Sequence, residues 1–289
     1  MRLVLKDGCS ILEALELLAP GASKRTLRRM LLEGRVRHNG EVCKIANRPT
    51  AAGDVVELGE RTSATRWVHG IEIIYEDEDL LVVHKPEGLL TVATLHERDR
   101  TAYALLRAHL RERESRKKLF IVHRLDKFVS GLLVFAKSEG VKASLQRLFR
   151  NHDIERRYWA VVEGRVEADN GTIRSRLAEH RNGRMHSTED EESGKIAVTH
   201  YRVIKRLSNL TALEIALETG RKNQIRVHLS ELGHPIVGDK SYGSTMDPIG
   251  RIGLHAFCLG FVHPRKKTPL LFRTDAPPAF KRYLGPQRP

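Results

Sequence analysis

Four ionisable side chains lie close together near the middle of the chain: His123, Arg124, Asp126 and Lys127. They precede residues 131–136, a short apolar run after a serine that is typical of a strand buried on both faces. Burying charge is costly unless the charge is paired or used in function. A carboxylate between bases at the entrance to a core strand is therefore a candidate functional site, and a structural ion-pair cluster is the alternative.

A second cation that needs a partner lies far along the chain, at Arg221. Thr219 or Gly220 is predicted to cap a helix that begins at Arg221, with Gln224 and His228 on the same face as the arginine. The helix dipole disfavours a cation at this end of a helix. We therefore expect an anion close to the Arg221 guanidinium.

The chemistry open to these residues can be narrowed by exclusion. The sequence has no Gly-rich phosphate loop and no metal-ligand spacing, and its His-Arg-Leu-Asp differs from the kinase pattern His-Arg-Asp followed by Asn. A metal-dependent nuclease requires converging carboxylates. The acidic runs at residues 76–79 and 189–192 are instead interpreted as a solvated turn and a polar loop. What remains is catalysis by one carboxylate, as nucleophile or base, without metal or cofactor.

The charge balance points to a polyanionic partner. Lys and Arg number 50 against 36 Asp and Glu, a formal net charge of +14, which favours nucleic acid over a role in solubility alone. No run of about 18 apolar residues occurs, so no membrane span is predicted. Cys9, Cys43 and Cys258 are too widely spaced for a zinc site or a disulfide framework. We expect a monomer in the reducing cytoplasm.

Residues 1–60 are predicted to form a separate module. A capping box at Ser10 opens a first helix, Ser23 caps a second, and Asn39-Gly40 is a hairpin turn. The second helix has an apolar side and a basic side, and the basic side is either a nucleic-acid surface or a merely solvated face. The basic residues predicted to contact RNA are Lys24, Arg25, Arg28 and Arg29.

Residues 61–70 are polar and aperiodic and are predicted to be a linker to a second domain, residues 71–289. Periodicity and turn residues predict an alternation of strands and a few helices in this domain. The polar segment 180–194 is interpreted as a hairpin tip or mobile loop. The remaining predicted strands are residues 71–75, 80–84, 158–163, 172–177, 198–206, 211–217 and 270–273, and the remaining predicted helices are residues 101–110, a segment from Val141, and residues 278–284.

Four blocks, in the same order, resemble the RluA family of RNA pseudouridine synthases. They are IYEDEDLLVVHKP at residues 74–86, HRLDKFVSGLLVFAK at 123–137, RYWAVVEG at 157–164, and the Gly-Arg segment at 220–243. Together the blocks span roughly residues 70–280. The resemblance implies an α+β fold with a mixed, largely antiparallel sheet and an active site in a cleft across it.

The resemblance also implies a reaction and its residues. Enzymes of this family break the N1 glycosidic bond of a uridine in RNA, turn the uracil and join C5 to the ribose, without a cofactor. Asp126 matches their essential aspartate, with nucleophilic attack and proton abstraction both open. Arg221 is similar to the arginine of their Gly-Arg motif and is expected to pair with Asp126. Tyr158 matches the tyrosine that packs against the target base, and Arg124 is expected to hold the RNA open.

Two residues depart from the pattern that is usual in the family. Val129 stands where the family usually has Thr, and Asn223 where it commonly has His.

The first module resembles the S4 RNA-binding module, which favours large-subunit ribosomal RNA over tRNA, the alternative substrate. A non-catalytic RNA-binding or ribosome assembly factor is the other alternative, and the presence of Asp126, Tyr158 and Arg221 argues against it.

Overall fold

The computed structural model describes residues 1–32, 35–43, 45–59, 66–95, 97–113 and 118–285. The chain divides into two compact units, Met1–Arg66 and Trp67–Pro289. The side chain of Arg29, one of the predicted RNA contacts, lies outside the described part of the chain.

The first unit combines two helices with a small antiparallel sheet. The helices are α1 (Ile11–Leu18) and α2 (Lys24–Leu32), and the strands are β1 (Arg2–Val4), β2 (Val36–His38), β3 (Glu41–Val42) and β4 (Val55–Leu58). Among the described residues the strand order is β1-β4-β2-β3.

Local sequence determines how this unit begins its first helix and turns its hairpin. Ser10 and Glu13 form the predicted capping box, because each side chain bonds the backbone amide of the other, at 2.7 and 3.3 Å. Asn39 and Gly40 have φ values of 51° and 85°, the left-handed conformation that a two-residue hairpin turn requires.

The apolar sides of both helices are buried in one core. Leu15 from α1 and Leu27 and Leu31 from α2 are fully buried there with Val56 of β4. Because the apolar side of α2 faces this core, its polar side faces solvent. Exposed on that side are Lys24, Arg25 and Arg28.

The second unit is built on one large sheet. In the described part of the chain this sheet has twelve strands, and four α-helices accompany it. The strands are β5 (Arg66–Val68), β6 (Ile71–Glu76), β7 (Leu80–Lys85), β8 (Phe120–Ile121), β9 (Ser130–Ala136), β10 (Glu155–Glu163), β11 (Asn170–Glu179), β12 (Met185–Thr188), β13 (Lys195–Arg206), β14 (Leu210–Leu217), β15 (Leu254–Val262) and β16 (Pro269–Arg273). The helices are α3 (Ala102–Arg113), α4 (Glu139–Arg150), α5 (Gln224–Glu231) and α6 (Pro278–Leu284).

The sheet order confirms the predicted α+β fold class. The strands run β12-β11-β13-β14-β10-β15-β9-β7-β6-β5, with β16 beside β15 and β8 beside β9. Neighbouring strands are antiparallel wherever their register is described, except for the parallel pair β9 and β15.

The parallel pair lies at the start of β9, where Gly131 is opposite Ala256. Gly131 has a φ of 122°, and a Cβ atom there would come within 2.1 Å of the Ala256 carbonyl oxygen. A side chain at residue 131 is therefore excluded. The glycine lets the segment before β9, which contains Asp126, enter the sheet directly against β15.

Strand β9 is buried along its whole length, which confirms the interpretation of its apolar run. Leu133 and Phe135 on one face belong to the core that includes α3 and α5, and Leu132 and Val134 on the other face pack with α4. Helices therefore cover both faces of the strand that follows Asp126.

Three boundaries differ from the sequence-based expectation. Residues 66–68, predicted as linker, form β5 at the edge of the sheet. The polar segment after β11 begins with a hairpin tip, one of its two predicted forms, but residues 185–188 then form the short strand β12, which pairs with the end of β11. The helix predicted from Arg221 begins at Gln224. No helix in the described ranges is long and apolar enough to cross a membrane.

Candidate active site

The second unit contains an open cavity of ≈ 550 Å³ beside the start of β9. Its walls come from the segment before β9, the end of α4, the start of β10, and the residues around the start of α5. Three predicted site residues, Arg124, Asp126 and Tyr158, line this cavity together with Arg221. The fold thus brings together residues that are as much as 97 positions apart in the sequence.

The loop that carries Asp126 is fixed from behind. Thr91 bonds both backbone groups of Leu125, accepting from its amide at 3.1 Å and donating to its carbonyl at 2.7 Å. The Val129 amide donates to the Asp126 carbonyl at 3.1 Å, which closes a turn. Leu125 and Val129 are buried, whereas the Asp126 side chain keeps 21 % of its surface exposed towards the cavity. Asp126 is therefore held in place yet accessible.

Lys85 braces the same loop from inside the core, a role that sequence reasoning missed. Its fully buried ammonium donates to the carbonyls of Pro86 at 2.8 Å, Leu89 at 2.7 Å and Lys127 at 3.3 Å. Burial lowers the pKa of Lys85 to about 7, partly offset by the Asp126 carboxylate, which raises it. The available signal was a lysine that ends an apolar strand just before a proline.

The cation that faces Asp126 is Arg226, another residue that sequence reasoning missed. Its Nη1 lies 3.5 Å from the Asp126 Oδ2. The other guanidinium nitrogens are committed elsewhere, because Nε and Nη2 donate to Asp239 at 2.6 and 2.8 Å. Nη1 also donates to the Asn223 side chain at 3.1 Å, and the ring of Tyr242 lies 4.7 Å from the guanidinium carbon.

This network keeps Arg226 charged inside the protein. Burial lowers the pKa of its guanidinium, but the hydrogen bonds and charge of Asp239 outweigh that effect and raise the pKa overall. The Asp239 carboxylate is itself only 1 % exposed, so the two side chains compensate one another in a buried pair. The cation beside Asp126 is therefore permanent.

The expected pairing of Arg221 with Asp126 is wrong. Arg221 is exposed, and its Nε donates to the Ile196 carbonyl at 3.0 Å. The prediction failed because α5 starts three residues later, after Asn223 in a left-handed conformation with φ of 52°. Arg221 therefore does not lie in the first turn of α5, and its backbone amide instead donates to the Gln224 side chain at 2.9 Å.

Tyr158 presents an apolar wall to the cavity. It lies in β10 next to an irregularity in the pairing with β15, and only 8 % of the residue is exposed. Burial is the main reason why the pKa of its hydroxyl is raised, and the hydroxyl therefore stays protonated at neutral pH. Tyr158 offers an aromatic surface to a ligand in the cavity.

His123 has a structural role in the described geometry. Burial lowers the pKa of its imidazole to about 3, so the ring is neutral at physiological pH. Its Nε2 accepts a hydrogen bond from the Val134 amide of β9 at 3.1 Å, and its ring packs against Phe149. A neutral imidazole used as an acceptor is not available as a general acid.

The rim of the cavity is basic. Arg150 at the end of α4 lines it, as do Arg156 of β10 and Lys222 before α5. Arg156 is buried and donates to the Glu218 carbonyl at 2.8 Å, which fixes part of this rim. Positive side chains around a cavity attract a polyanion such as a nucleic-acid backbone.

The acidic turn that raised a metal alternative is an ion-pair network. Asp77, Asp79 and His263 place possible ligand atoms within 4.8 Å of one another. However, the Asp77 Oδ2 accepts from Tyr75 at 2.7 Å, Lys266 at 2.7 Å and His263 at 2.9 Å. Arg265 pairs with Asp79 at 2.9 Å. These partners already compensate both carboxylates.

The sequence matches the RNA pseudouridylate synthase family over residues 79–231. That segment contains Asp126, Tyr158 and Arg226, three of the residues that line the cavity. The chain belongs to this family. It is an RNA pseudouridine synthase, and the predicted isomerase class is confirmed.

Similar proteins extend this likeness beyond the matched segment. An uncharacterized RNA pseudouridine synthase of Bacillus subtilis, YlyB, is 36% identical over 88% of this chain and 86% of its own length. The ribosomal large subunit pseudouridine synthase D of Vibrio cholerae is 33% identical over 88% of this chain and 84% of its own. A solved structure, human RNA pseudouridylate synthase domain containing 1, superposes with a TM-score of 0.58 at 26% identity, covering 76% of this chain and 88% of that one.

Proposed function

We propose that this pseudouridine synthase modifies specific uridines of large-subunit ribosomal RNA and uses Asp126 as its catalytic residue. The observation that carries the catalytic assignment is the geometry around one carboxylate: Asp126 projects into the cavity, and the permanent cation of Arg226 lies 3.5 Å away. A fixed carboxylate can attack the ribose or remove a proton from it, and either step begins the isomerisation.

Arg226 is proposed to aim this carboxylate. Because Asp239 occupies Nε and Nη2, Arg226 reaches Asp126 through Nη1 alone. A two-pronged pair would engage both oxygens of the catalytic carboxylate. Contact through one nitrogen leaves an Asp126 oxygen directed at the substrate while the guanidinium still stabilises negative charge.

The cavity is proposed to receive an extruded uridine. A base inside folded RNA must leave its stack before an enzyme can reach its glycosidic bond. Tyr158 would pack against the uracil, as aromatic side chains do against extruded bases. Arg124 is exposed on the same loop as Asp126 and would hold the RNA open, and the exposed Arg221 would bind a phosphate at the rim.

The choice of ribosomal RNA rests on the relatives and on the first unit. Several similar proteins are named ribosomal large subunit pseudouridine synthase D. We propose that the first unit is an S4-like RNA-binding module whose exposed Lys24, Arg25 and Arg28 contact phosphates. The enzyme would act as a monomer in the cytoplasm.

The target is tested by mapping pseudouridine in RNA from cells with and without the gene. Purified enzyme is then incubated with unmodified transcripts of large-subunit ribosomal RNA and of tRNA. The proposal is supported if pseudouridines of ribosomal RNA are missing in cells without the gene and the purified enzyme forms pseudouridine at the same positions of the ribosomal transcript. Modification of tRNA alone would move the enzyme to the alternative substrate.

The role of the first unit is tested by a triple substitution, Lys24→Gln, Arg25→Gln and Arg28→Gln. Each lost phosphate contact should reduce the slope of the logarithm of RNA affinity against the logarithm of salt concentration by about 0.7–0.9. Turnover at saturating RNA should not change, because these residues lie outside the cavity unit. An unchanged salt dependence would remove the proposed phosphate contacts.

A further inference from the structure

Phe128 is a large aromatic side chain left in solvent, only two residues after Asp126. Half of its surface is exposed (50 %), whereas Leu125 and Val129 in the same loop are buried to 5 % and 3 %. The loop therefore anchors itself through these two aliphatic residues and turns the phenyl ring outward.

The exposure of Phe128 is not that of a loose loop. Thr91 holds both backbone groups of Leu125, the Val129 amide closes a turn onto the Asp126 carbonyl, and the buried Lys85 donates to the Lys127 carbonyl. These bonds lie on both sides of Phe128 in the sequence. Its backbone position is fixed by the interactions that fix Asp126.

A cation accompanies the ring. The Lys127 ammonium lies 5.2 Å from the centre of the Phe128 ring, within the range of a cation–π contact. Lys127 is itself exposed, so its ammonium is accessible to solvent and to a phosphate. An aromatic face with an adjacent cation is the combination that binds single-stranded nucleic acid, the ring by stacking and the cation by pairing with the backbone.

Phe128 and Lys127 are adjacent to Asp126 in the chain but are not among the residues that line its cavity, so a ligand of this pair would lie outside the cavity and close to it. Phe128 is two residues after Asp126, so their Cα atoms are at most about 7.6 Å apart, given the 3.8 Å spacing along the chain. When the target uridine leaves its stack, its neighbour in the strand loses a stacking partner. That neighbour would then have an uncovered aromatic face close to the loop that carries Asp126 and Phe128.

We propose that Phe128 is a stacking subsite for the nucleobase next to the target uridine, with Lys127 paired to a phosphate beside that base. The subsite rests on the RNA-isomerising activity of the family but not on ribosomal RNA as the target. Stacking on Phe128 would offset the lost base–base stacking and so favour the extruded state of the uridine.

The test combines Phe128→Ala with an abasic nucleotide in the RNA. Short RNAs on which the wild-type enzyme turns over are made with an intact base, an abasic site on the 5′ side, or an abasic site on the 3′ side of the target. With the intact RNA, Phe128→Ala should lower kcat/KM about 5- to 150-fold, the range that one base–aromatic stack is worth. With one of the two abasic RNAs, wild type and variant should differ less than twofold.

Two further variants separate stacking from a general effect of the substitution. Phe128→Trp should retain most of the wild-type activity, because a larger aromatic face still stacks. Leu271→Ala, which removes an apolar side chain of similar exposure (54 %) in β16, should not change kcat/KM.

The contact of Lys127 with a phosphate is tested separately. Lys127→Gln should reduce the slope of the logarithm of RNA affinity against the logarithm of salt concentration by about 0.7, the value for one phosphate contact in a single strand.

The proposal is overturned if Phe128→Ala turns over the intact RNA like wild type, or if its loss is equally large on both abasic RNAs. Because the assay uses any RNA that the wild-type enzyme modifies, an error about the ribosomal target does not affect the result. Failure of this subsite is likewise distinct from failure of the Asp126 assignment, which is measured on intact RNA alone.

Discussion

Arg226 and Asp239 form a buried two-pronged ion pair, with N–O distances of 2.6 and 2.8 Å, and the pair leaves Arg226 Nη1 facing Asp126 at 3.5 Å. Thus a residue of the loop after α5 determines how the arginine on α5 meets the carboxylate at the start of β9.

Substitutions at Arg226 and Arg221 should have clearly different effects. Arg226→Lys should lower single-turnover rates by 100-fold or more, since an ammonium cannot hold Asp239 by two bonds and also face Asp126. Arg221→Ala should weaken RNA binding but lower the single-turnover rate at saturating RNA less than tenfold. The measurement is the single-turnover rate of pseudouridine formation. A greater loss of this rate in Arg221→Ala than in Arg226→Lys would support the pairing of Arg221 with Asp126 that the geometry contradicts.

Asp239→Asn should impair both folding and catalysis. Leaving the buried guanidinium without its anion should lower the free energy of unfolding by about 3–5 kcal/mol. In the molecules that remain folded, Arg226 should swing towards Asp126, so the single-turnover rate per folded enzyme should also fall. Denaturant titration measures the free energy of unfolding, and active-site titration gives the concentration of folded enzyme to which the single-turnover rate is referred. A stable Asp239→Asn enzyme of normal activity would show that Asp239 does not position Arg226.

Lys85 should produce a pH dependence of stability. Its folded-state pKa of about 7 lies below its ordinary value of 10.5, so between these values the unfolded chain binds more protons and stability rises with pH. Between pH 7 and 9 the rise should be about 2–3 kcal/mol, at 1.36 kcal/mol per pH unit. In Lys85→Met this part of the rise should be absent. Parallel stability–pH curves for the two proteins between pH 7 and 9 would contradict the prediction.

Tyr158 should act through its ring more than through its hydroxyl. Tyr158→Phe should keep most of the packing against the base and lose only part of the rate. Tyr158→Ala should lose a further 5- to 150-fold, the value of one base stack, and its cavity should also cost about 3–5 kcal/mol of stability. Rates are therefore compared per folded molecule, and equal rates for Phe and Ala would exclude a stacking role.

Local patterns in the sequence predicted much of the fold. The capping box at Ser10, the Asn39-Gly40 turn, the buried strand β9 and the final helix α6 each depend on residues adjacent in the chain. Such signals are complete within a short window, so tertiary packing had only to preserve them.

The electrostatics of the site could not be predicted in the same way. The helix start at Gln224 depends on Asn223 in a left-handed conformation and on Gln224 bonding back to Thr219 and the Arg221 amide. That detail decides which arginine reaches Asp126. The bracing of the loop by Lys85 depends on carbonyl groups up to 42 residues away, which leave no periodic trace.

Asp126→Asn tests the central claim most directly. The structure predicts that folding survives, because Arg226 keeps its two bonds to Asp239 and is not left unpaired when the Asp126 charge is removed. RNA affinity should also persist, since it rests mainly on contacts of Lys and Arg with phosphate. Circular dichroism, thermal unfolding and an RNA-binding titration provide these controls.

The measurement is single-turnover conversion of uridine to pseudouridine by the folded, RNA-bound Asp126→Asn enzyme. We predict no product above background, because the asparagine amide is neither a useful nucleophile nor a base. Pseudouridine formation at a rate close to that of wild type would contradict the assignment of Asp126 as the catalytic residue.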